Sequence, residues 1–404
     1  MKNVNIGLFG FGVVGEGIYQ VLTKKPQLGA VIRRIAIKHP DKKRDAPLSL
    51  FTTDANEILE DHTIDLVVEL IDDSEAALSI VLRAMNNGKS VISANKKMIA
   101  DHLLLLIETA EKNNVSFLYE ASVCGSVPVI RNLEEYFDND LITSVTGIVN
   151  GSTNFILTQM AKHDLSYDTA LKKAQELGFA ESNPGLDVEG WDARNKLKII
   201  SLHAFGKLVD DRNIPVKGIN SITKFDINYA KEKGFVIKLI ATCKVDQEGM
   251  IEEVSVLPTF LPRLHPLRLT DNEFNGIVIG GQLSDEQFLY GKGAGRYPTS
   301  SAVLSDISAF RYNYKYEYKK AIGIVEKIDP VQYKFYIGFK QGEEVNLSSL
   351  GEVEETYETE GQCYATLYAY PEKVLSLCSS RNISVIRCLE ATSKAEQHLQ
   401  SAGN

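Results

Sequence analysis

The chain opens on an apolar run, Val4-Asn5-Ile6-Gly7-Leu8-Phe9, that breaks into Gly10-Phe11-Gly12-Val13-Val14-Gly15. A short apolar run bounded by glycine predicts a buried strand, and the spacing from Val13 to about residue 24 predicts an amphipathic helix. The alternation continues. Apolar runs at 31–37, 64–70, 90–93 and 115–119 predict strands. Helical spacing at 75–87, closed by Gly88, and at 101–113 predicts helices. Strand–helix repeats with fully apolar strands predict an α/β fold built on a doubly wound parallel sheet of Rossmann type.

From about residue 141 the pattern changes. A strand at 141–149 leads through Asn150-Gly151-Ser152-Thr153 into a helix at 154–163, with further helices at 167–177 and 191–205. Strands at 235–244 and 252–258 complete an expected α+β domain. A second glycine-rich loop, Gly291-Lys292-Gly293-Ala294-Gly295, precedes a helix at 300–310. The tail carries strand signals at 334–339, 362–370 and 383–389 and a helix at 372–380, the pattern of a small α+β module. The expected division is 1–135 with 286–312 as one domain, 136–285 as a second, and 320–404 as a separate module. A cut near Asn313 then leaves the first two domains in place.

With 404 residues, 44% hydrophobic and 24% charged, the chain can bury an ample core. A net charge of −9 argues against nucleic acid as a partner. No stretch has the length and hydrophobicity of a membrane span, and the N-terminus lacks a signal-peptide pattern, so a cytoplasmic protein with no membrane partner is expected. Five cysteines, Cys124, Cys243, Cys363, Cys378 and Cys388, lack CxxC spacing and read as reduced thiols.

The glycine spacing supplies the first candidate chemistry. Gly10 permits the tight turn, Gly12 lets a pyrophosphate approach, and Gly15 lets the helix pack on the strand. The phosphates would sit on the first-turn N–H groups, at Val13 and Val14. A plain strand–turn–helix corner is the alternative. After the second strand an NAD site usually carries an acid, whereas here Lys38 is followed by Lys42-Lys43-Arg44. Cations there favour the 2′-phosphate of NADP, unless the run is merely solvated. Ser93-Ala94-Asn95-Lys96-Lys97 falls at the carboxyl end of a parallel strand, where ligands bind. Its lysines read either as a surface pair or as groups that polarise a carbonyl. Asp192 and Lys196 share a helix face at i,i+4, as a surface pair or as part of a site with Glu181, Asp187 and Glu189.

Together these segments carry a resemblance. The GFGVVG opening, the SANKK run, Tyr119-Glu120-Ala121-Ser122-Val123, and Gly147-Ile148-Val149-Asn150-Gly151-Ser152-Thr153-Asn154 match in order. So do Gly178-Phe179-Ala180-Glu181, Gly190-Trp191-Asp192 with Lys196, His265-Pro266-Leu267, and the Gly293 loop through Asp306. Over roughly residues 1–312 the chain resembles the homoserine dehydrogenase family. The resemblance implies NAD(P)-dependent reduction of L-aspartate 4-semialdehyde to L-homoserine, in threonine, methionine and isoleucine biosynthesis. It implies that Lys96 and Lys196 are catalytic, that Glu181, Asp187 and Asp192 bind substrate, and that Gly10, Gly12, Val13, Val14, Gly15, Lys38, Ser93, Lys96 and Gly293 bind cofactor. It implies a sodium ion at Glu120, Val123, Gly125 and Val127, and a homodimer through the 141–149 sheet. Two departures stand out. Asp72-Asp73 replace a small glycine pair, and the tail fits the regulatory ACT pattern poorly, because Gly342 and Gly351 break its first helix at 341–352. A catalytically weak nucleotide-binding regulator, or a dehydrogenase for another small amino or oxo acid, remains the alternative.

Overall fold

Six strands form the first sheet: β1 (Val4–Phe9), β2 (Ala30–Ala36), β3 (Phe51–Thr52), β4 (Leu66–Glu69), β5 (Ser90–Ser93) and β6 (Phe117–Leu118). Their order is β3-β2-β1-β4-β5-β6, and every pairing is parallel. The computed structural model describes residues 3–139, 141–318, 320, 322–359, 361–378 and 383–389. The apolar runs are apolar because both faces are covered: Ile6, Leu8, Val67, Val68, Val91 and Ile92 are all fully buried. The strand order reverses between β1 and β4, and ligands bind such sheets beyond the strand ends at this point.

The helix after β5 runs Lys96–Lys112, five residues earlier than its periodicity predicts. Asn95 caps it, its Oδ1 accepting the Met98 amide at 3.0 Å. His102 leaves helical geometry (φ −128°, ψ 22°), which explains why the apolar spacing reads cleanly only from residue 101.

The second sheet has nine strands: β7 (Ile142–Ile148), β9 (Val236–Val245), β10 (Ile251–Leu261), β11 (Phe274–Gly281), β12 (Asp285–Lys292), β14 (Tyr333–Lys340), β15 (Gly351–Thr359), β16 (Gln362–Ala369) and β17 (Ser384–Cys388). Between them in the chain, β8 (Lys207–Val209) and β13 (Gly323–Val325) pair as a separate two-stranded sheet. The nine run β12-β11-β7-β9-β10-β17-β14-β16-β15. The tail is therefore no separate module. β17 lies parallel to β10, with Thr259 opposite Arg387 and Phe260 opposite Cys388, so the tail strands extend the sheet.

Two compact units result instead of three. The first holds residues up to Leu141 with Asn195–Leu208 and Gly291–Gly323; the second holds Ile142–Arg194, Val209–Tyr290 and the chain from Ile324. The expected boundaries at 135, 285 and 320 miss two things, the transfer of Asn195–Leu208 to the first unit and the pairing of the tail with β10.

The stretch expected to hold the first helix of an ACT pattern carries a short 3-10 turn, Leu347–Ser349, and then β15. The expected helix at 372–380 is Pro371–Cys378; residues 379 and 380 lie outside the described residues. The dimer argument also changes. Ile142, Val145, Ile148 and Val149 are 8%, 1%, 1% and 2% exposed within the chain itself, so they need no second copy to cover them. Among the described residues no helix is long and apolar enough to cross a membrane.

Candidate active site

The glycine loop follows β1 at the switch point. Gly10 has φ +92°, a left-handed value that favours glycine, and a Cβ there would stand 2.8 Å from the Leu70 carbonyl oxygen. A Cβ on Gly15 would meet the Gly10 carbonyl oxygen at 2.5 Å, so a methyl group would push the helix Val13–Lys24 off the turn. Above Gly12 nothing lies within 4 Å of an added Cβ. The backbone at Gly12, Val13 and Val14 is thus an open helix start, the shape that receives a pyrophosphate.

Beside this loop lies a cavity of about 520 Å³ lined by Lys42, Lys43, Arg44, Leu48 and Phe51, among others. The Phe51 ring stands edge-on to Phe11 of the glycine loop at 5.2 Å, and the Arg44 guanidinium lies 5.6 Å from its centre. The cavity therefore joins an apolar wall to three cations and one carboxylate, Asp41. Lys38 is exposed and is not one of the lining residues.

At the ends of β4 and β5, Glu69 and Ser93 are fully buried, and Ser93 Oγ donates to Glu69 Oε2 at 2.6 Å. Burial raises the Glu69 carboxyl to about 7, against the opposing Ser93 and Ile71 hydrogen bonds and with help from Asp72. Lys96 is exposed at the first position of the helix that Asn95 caps. The Asp72-Asp73 departure has a structural reason. Asp73 caps the helix Ser74–Asn86, its Oδ1 accepting the amides of Glu75 at 3.1 Å and Ala76 at 3.0 Å. That carboxylate is committed to its own helix, which gives one of the two acids a structural task.

The loop proposed for the cation is also in the first unit. Glu120, Val123 and Val127 are 2%, 1% and 2% exposed. Gly125 (φ +59°) presses on the other glycine-rich loop, where a Cβ would stand 2.4 Å from the Gly293 carbonyl oxygen. Gly293 is thereby fixed against the Gly125 turn. The Glu120 carboxylate accepts the amides of Ile130 at 3.0 Å and Arg131 at 2.7 Å. Burial still raises it to about 7. Asp306 accepts the Glu120 amide at 3.0 Å, and its other oxygen has no hydrogen-bond partner but faces the Arg131 guanidinium at 3.9 Å. Two buried carboxyls beside a loop of backbone carbonyls suit a small cation. The Glu120 side chain is already used by N–H donors and the Val127 carbonyl accepts the Val129 amide at 2.9 Å; the backbone carbonyls of Val123, Gly125 and Val127 are the groups that could still hold such an ion.

Lys196 belongs to the first unit and is only 8% exposed, not a surface lysine. Asp192, on the same helix (Trp191–Phe205), is 3% exposed and counts with the second unit. In that unit Asn150 gathers two of the expected substrate residues. Its Nδ2 donates to Asp187 Oδ1 at 2.7 Å and to Asp192 Oδ2 at 2.8 Å. Its Oδ1 caps the helix Gly151–His163 by accepting the Thr153 amide at 2.9 Å. Glu181 is exposed on the preceding turn, its carbonyl accepting from Gln175 at 3.0 Å. Asn150 was readable only as a motif residue, because an N-cap asparagine carries no mark of a second task. Glu69 left a clearer signal: a lone acid closing an apolar parallel strand.

Residues 10–120 match the family described as homoserine dehydrogenase, NAD binding domain, and residues 128–308 match that described as homoserine dehydrogenase. The Bacillus subtilis (strain 168) homoserine dehydrogenase is 40% identical over 322 residues, 78% of this chain and 74% of the relative.

The chain belongs to the homoserine dehydrogenase family.

It is accordingly an NAD(P)-dependent oxidoreductase acting on a CH–OH group, with a place in amino-acid biosynthesis. A homoserine dehydrogenase structure from Thiobacillus denitrificans superposes with a TM-score of 0.84 at 28% identity, covering 96% of this chain and 99% of that one. A hyperthermophilic archaeal homoserine dehydrogenase in complex with NADPH superposes with a TM-score of 0.67 at 26% identity, over 78% of this chain and 99% of the other. The α/β architecture of the chain is that of these homoserine dehydrogenases.

Proposed function

We propose that the chain uses NADP in preference to NAD, that Lys96 and Lys196 act on the oxygen of the reacting carbonyl, and that Asp187 and Asp192 hold the substrate ammonium group. The cofactor reading rests above all on the cavity at Lys42, Lys43 and Arg44. Its volume suits a small ligand, and its three cations suit the 2′-phosphate that distinguishes NADP. The archaeal homoserine dehydrogenase in complex with NADPH supports the same choice. Gly10, Gly12, Val13, Val14 and Gly15 would hold the pyrophosphate, with Ser93 and Gly293 further along. When bound, the cofactor supplies or accepts the hydride.

The chain's own residues supply charge and orientation. Reduction concentrates negative charge on the aldehyde oxygen; an ammonium group stabilises it and can deliver the proton. Asn150 holds two carboxylates for one ammonium ligand while its amide keeps them apart from each other. Glu181 remains a candidate on the adjoining turn by resemblance. A sodium ion on the carbonyls of Val123, Gly125 and Val127 would act structurally, offsetting the buried Glu120 and Asp306 carboxyls. Sodium chloride is then expected to raise the melting temperature above that in choline chloride at equal ionic strength; identical melts would remove the ion.

The cofactor reading is tested by following homoserine-dependent absorbance at 340 nm with each nucleotide. NADP is expected to show the lower KM. Arg44→Ala should raise the KM for NADP by roughly tenfold, the loss of one charge-assisted contact, with little effect on NAD. Tighter binding of NAD by the unmodified protein would reverse the assignment.

A further inference from the structure

The strands β1, β4 and β5 end side by side, and the last residue of β4 is an acid. Glu69 spends its two oxygens on two different loops. Ser93 Oγ donates to Oε2 at 2.6 Å, and the Ile71 amide donates to Oε1 at 2.6 Å. The Ser93 hydroxyl in turn accepts the Asn95 amide at 3.1 Å. The Asn95 side-chain amide donates to the Ile71 carbonyl at 3.0 Å. The four bonds close a ring through Glu69, Ser93, Asn95 and Ile71.

Two members of the ring adjoin the Lys96 turn or the glycine loop, and the other two, Glu69 and Ser93, are fully buried behind them. Asn95 directly precedes Lys96 and caps the helix that Lys96 begins. Leu70 and Ile71 lie under the glycine loop, where a Cβ on Gly10 would stand 2.8 Å from the Leu70 carbonyl oxygen and 3.3 Å from Ile71 Cγ2. The ring therefore ties the floor of the glycine loop to the turn that presents the lysine.

A satisfied buried polar group is the plainer explanation of such a residue. It does not account for the choice of an acid here. Val67 and Val68, earlier in the same strand, are equally buried and purely apolar. A fully buried carboxyl costs free energy that an aliphatic side chain avoids, even when hydrogen-bonded. Glu69 also directs no oxygen along its own strand. Both bond to the loops that leave the sheet at the point where ligands bind.

We propose that Glu69 is a positioning residue for the dehydrogenase reaction, setting the Lys96 turn through Ser93 and Asn95 and the floor of the glycine loop through Ile71. This rests on the assignment of Lys96 as a catalytic residue. Glu69 itself touches neither substrate nor cofactor. Geometry and not charge is what it contributes, so an uncharged side chain of the same shape can replace it. In Glu69→Gln the amide donates to Ser93 Oγ and its carbonyl accepts the Ile71 N–H. In Glu69→Leu the ring is cut at two bonds while volume is kept.

The experiment measures kcat, KM for homoserine and calorimetric NADP affinity for Glu69→Leu, Glu69→Gln, Asn95→Ala and Lys96→Ala, with a melting curve for each. Glu69→Leu is expected to lower kcat roughly tenfold to a hundredfold, as a displacement of about 1 Å at a reacting group does. The KM for homoserine should move by less than about threefold, a smaller change than the loss expected of a positioned group. Glu69→Gln should restore kcat to within about threefold of the unmodified enzyme, a difference small against the tenfold that one lost hydrogen bond of 1.4 kcal/mol represents. Folded Glu69→Leu with unchanged kcat overturns the proposal, and so does Glu69→Gln as impaired as Glu69→Leu. If Glu69→Leu does not fold, Asn95→Ala cuts the same ring from its half-exposed side and carries the same expectation, and unchanged kcat there is equally fatal. The Lys96→Ala arm separates the two readings. Normal turnover in it removes the lysine assignment, whereas a loss in Lys96→Ala with none in Glu69→Leu removes this proposal alone.

Discussion

Cutting the chain after Asn313 is expected to give insoluble or unfolded protein, not an active enzyme shorn of a module. In the first unit the cut removes the strap that follows the helix Arg296–Arg311. Tyr316 is 6% exposed and stands edge-on to the fully buried Tyr119 at 5.1 Å. The Tyr318 hydroxyl meets the Tyr119 hydroxyl at 2.9 Å, and Tyr119 also meets His203 Nε2 at 2.9 Å. The guanidinium of Arg131 lies over the Tyr314 ring at 4.5 Å. In the second unit the cut strips two buried acids of their partners. Asp226, 1% exposed, accepts from the Tyr336 hydroxyl at 2.9 Å and the Ser384 hydroxyl at 2.6 Å. Glu253, 7% exposed, binds Arg387. Removing one partner of a buried ion pair costs about 3–5 kcal/mol, and a whole domain has only about 5–15 kcal/mol to lose. The lost burial of Tyr333, Phe335, Ile337, Ala365, Leu367 and Val385 comes on top.

Solubility and circular dichroism of the truncated chain decide the matter; folded, active protein would restore the idea of an appended module. Arg387→Met is the graded version and, because Lys244 stays 3.0 Å from Glu253, should cost less at neutral pH than the about 3–5 kcal/mol of a wholly unpaired buried charge. Burial pushes the Glu253 carboxyl up, but Arg387 and Lys244 outweigh it and hold it below 4.5. A depressed carboxylate contributes stability above its unfolded pKa and loses it as pH falls through the folded value. The deficit of Arg387→Met should therefore shrink on acidification below about 4.5, the ordinary glutamate range. A deficit independent of pH would mean that Arg387 acts by packing over the Tyr333 ring, which it faces at 4.1 Å.

What the sequence conveys and what it hides follow from how each strand is buried. β1, β4 and β5 are covered on both faces, so they appear as unbroken apolar runs and predict the parallel sheet directly. β15 is the opposite case. Gly351–Thr359 is exposed along almost its whole length and carries Glu352, Glu354, Glu355 and Glu358. An edge strand can be charged because one side faces water, and charge there discourages pairing with other chains. No hydrophobic period survives, so the sequence places no strand there and the expected helix at 341–352 runs into its start. β12, another edge strand, alternates exposed and half-buried positions and is equally silent. The parallel contact of β17 with β10 links residues more than a hundred positions apart, and local periodicity contains nothing about it. The site shows the same divide. The three glycine roles are local and legible, because a turn and a close approach demand glycine. The roles of Asn150 and Glu69 depend on partners brought in by the fold. The basic run after β2 is legible as charge, but only the fold shows that Lys42, Lys43 and Arg44 line a cavity with Phe51 while Lys38 does not.

If Lys96 and Lys196 act on the reacting carbonyl as proposed, replacing either by methionine should lower kcat by roughly a hundredfold to ten-thousandfold, the usual effect of removing a positioned proton donor or a charge at a developing oxyanion. The two variants should differ in stability. Lys96 is exposed at the first position of the helix Lys96–Lys112, where a cation meets the positive end of the helix dipole. That placement costs about 0.3–1 kcal/mol, so Lys96→Met should melt at the same temperature or slightly higher. A structural lysine would not sit there, and lost turnover with stability retained is the mark of a functional one. Lys196 is 8% exposed, flanked by Asn195 and Lys198 at 7% and 8%. Truncation to alanine would combine lost charge with lost packing of its long stem, which methionine largely preserves. Lys196→Met should therefore keep a cooperative melt while kcat and kcat/KM fall together, as when an interaction made only in the transition state is removed. A folded Lys196→Met protein turning over within about threefold of the unmodified enzyme, far short of the expected hundredfold, would show that Lys196 takes no part in the chemistry.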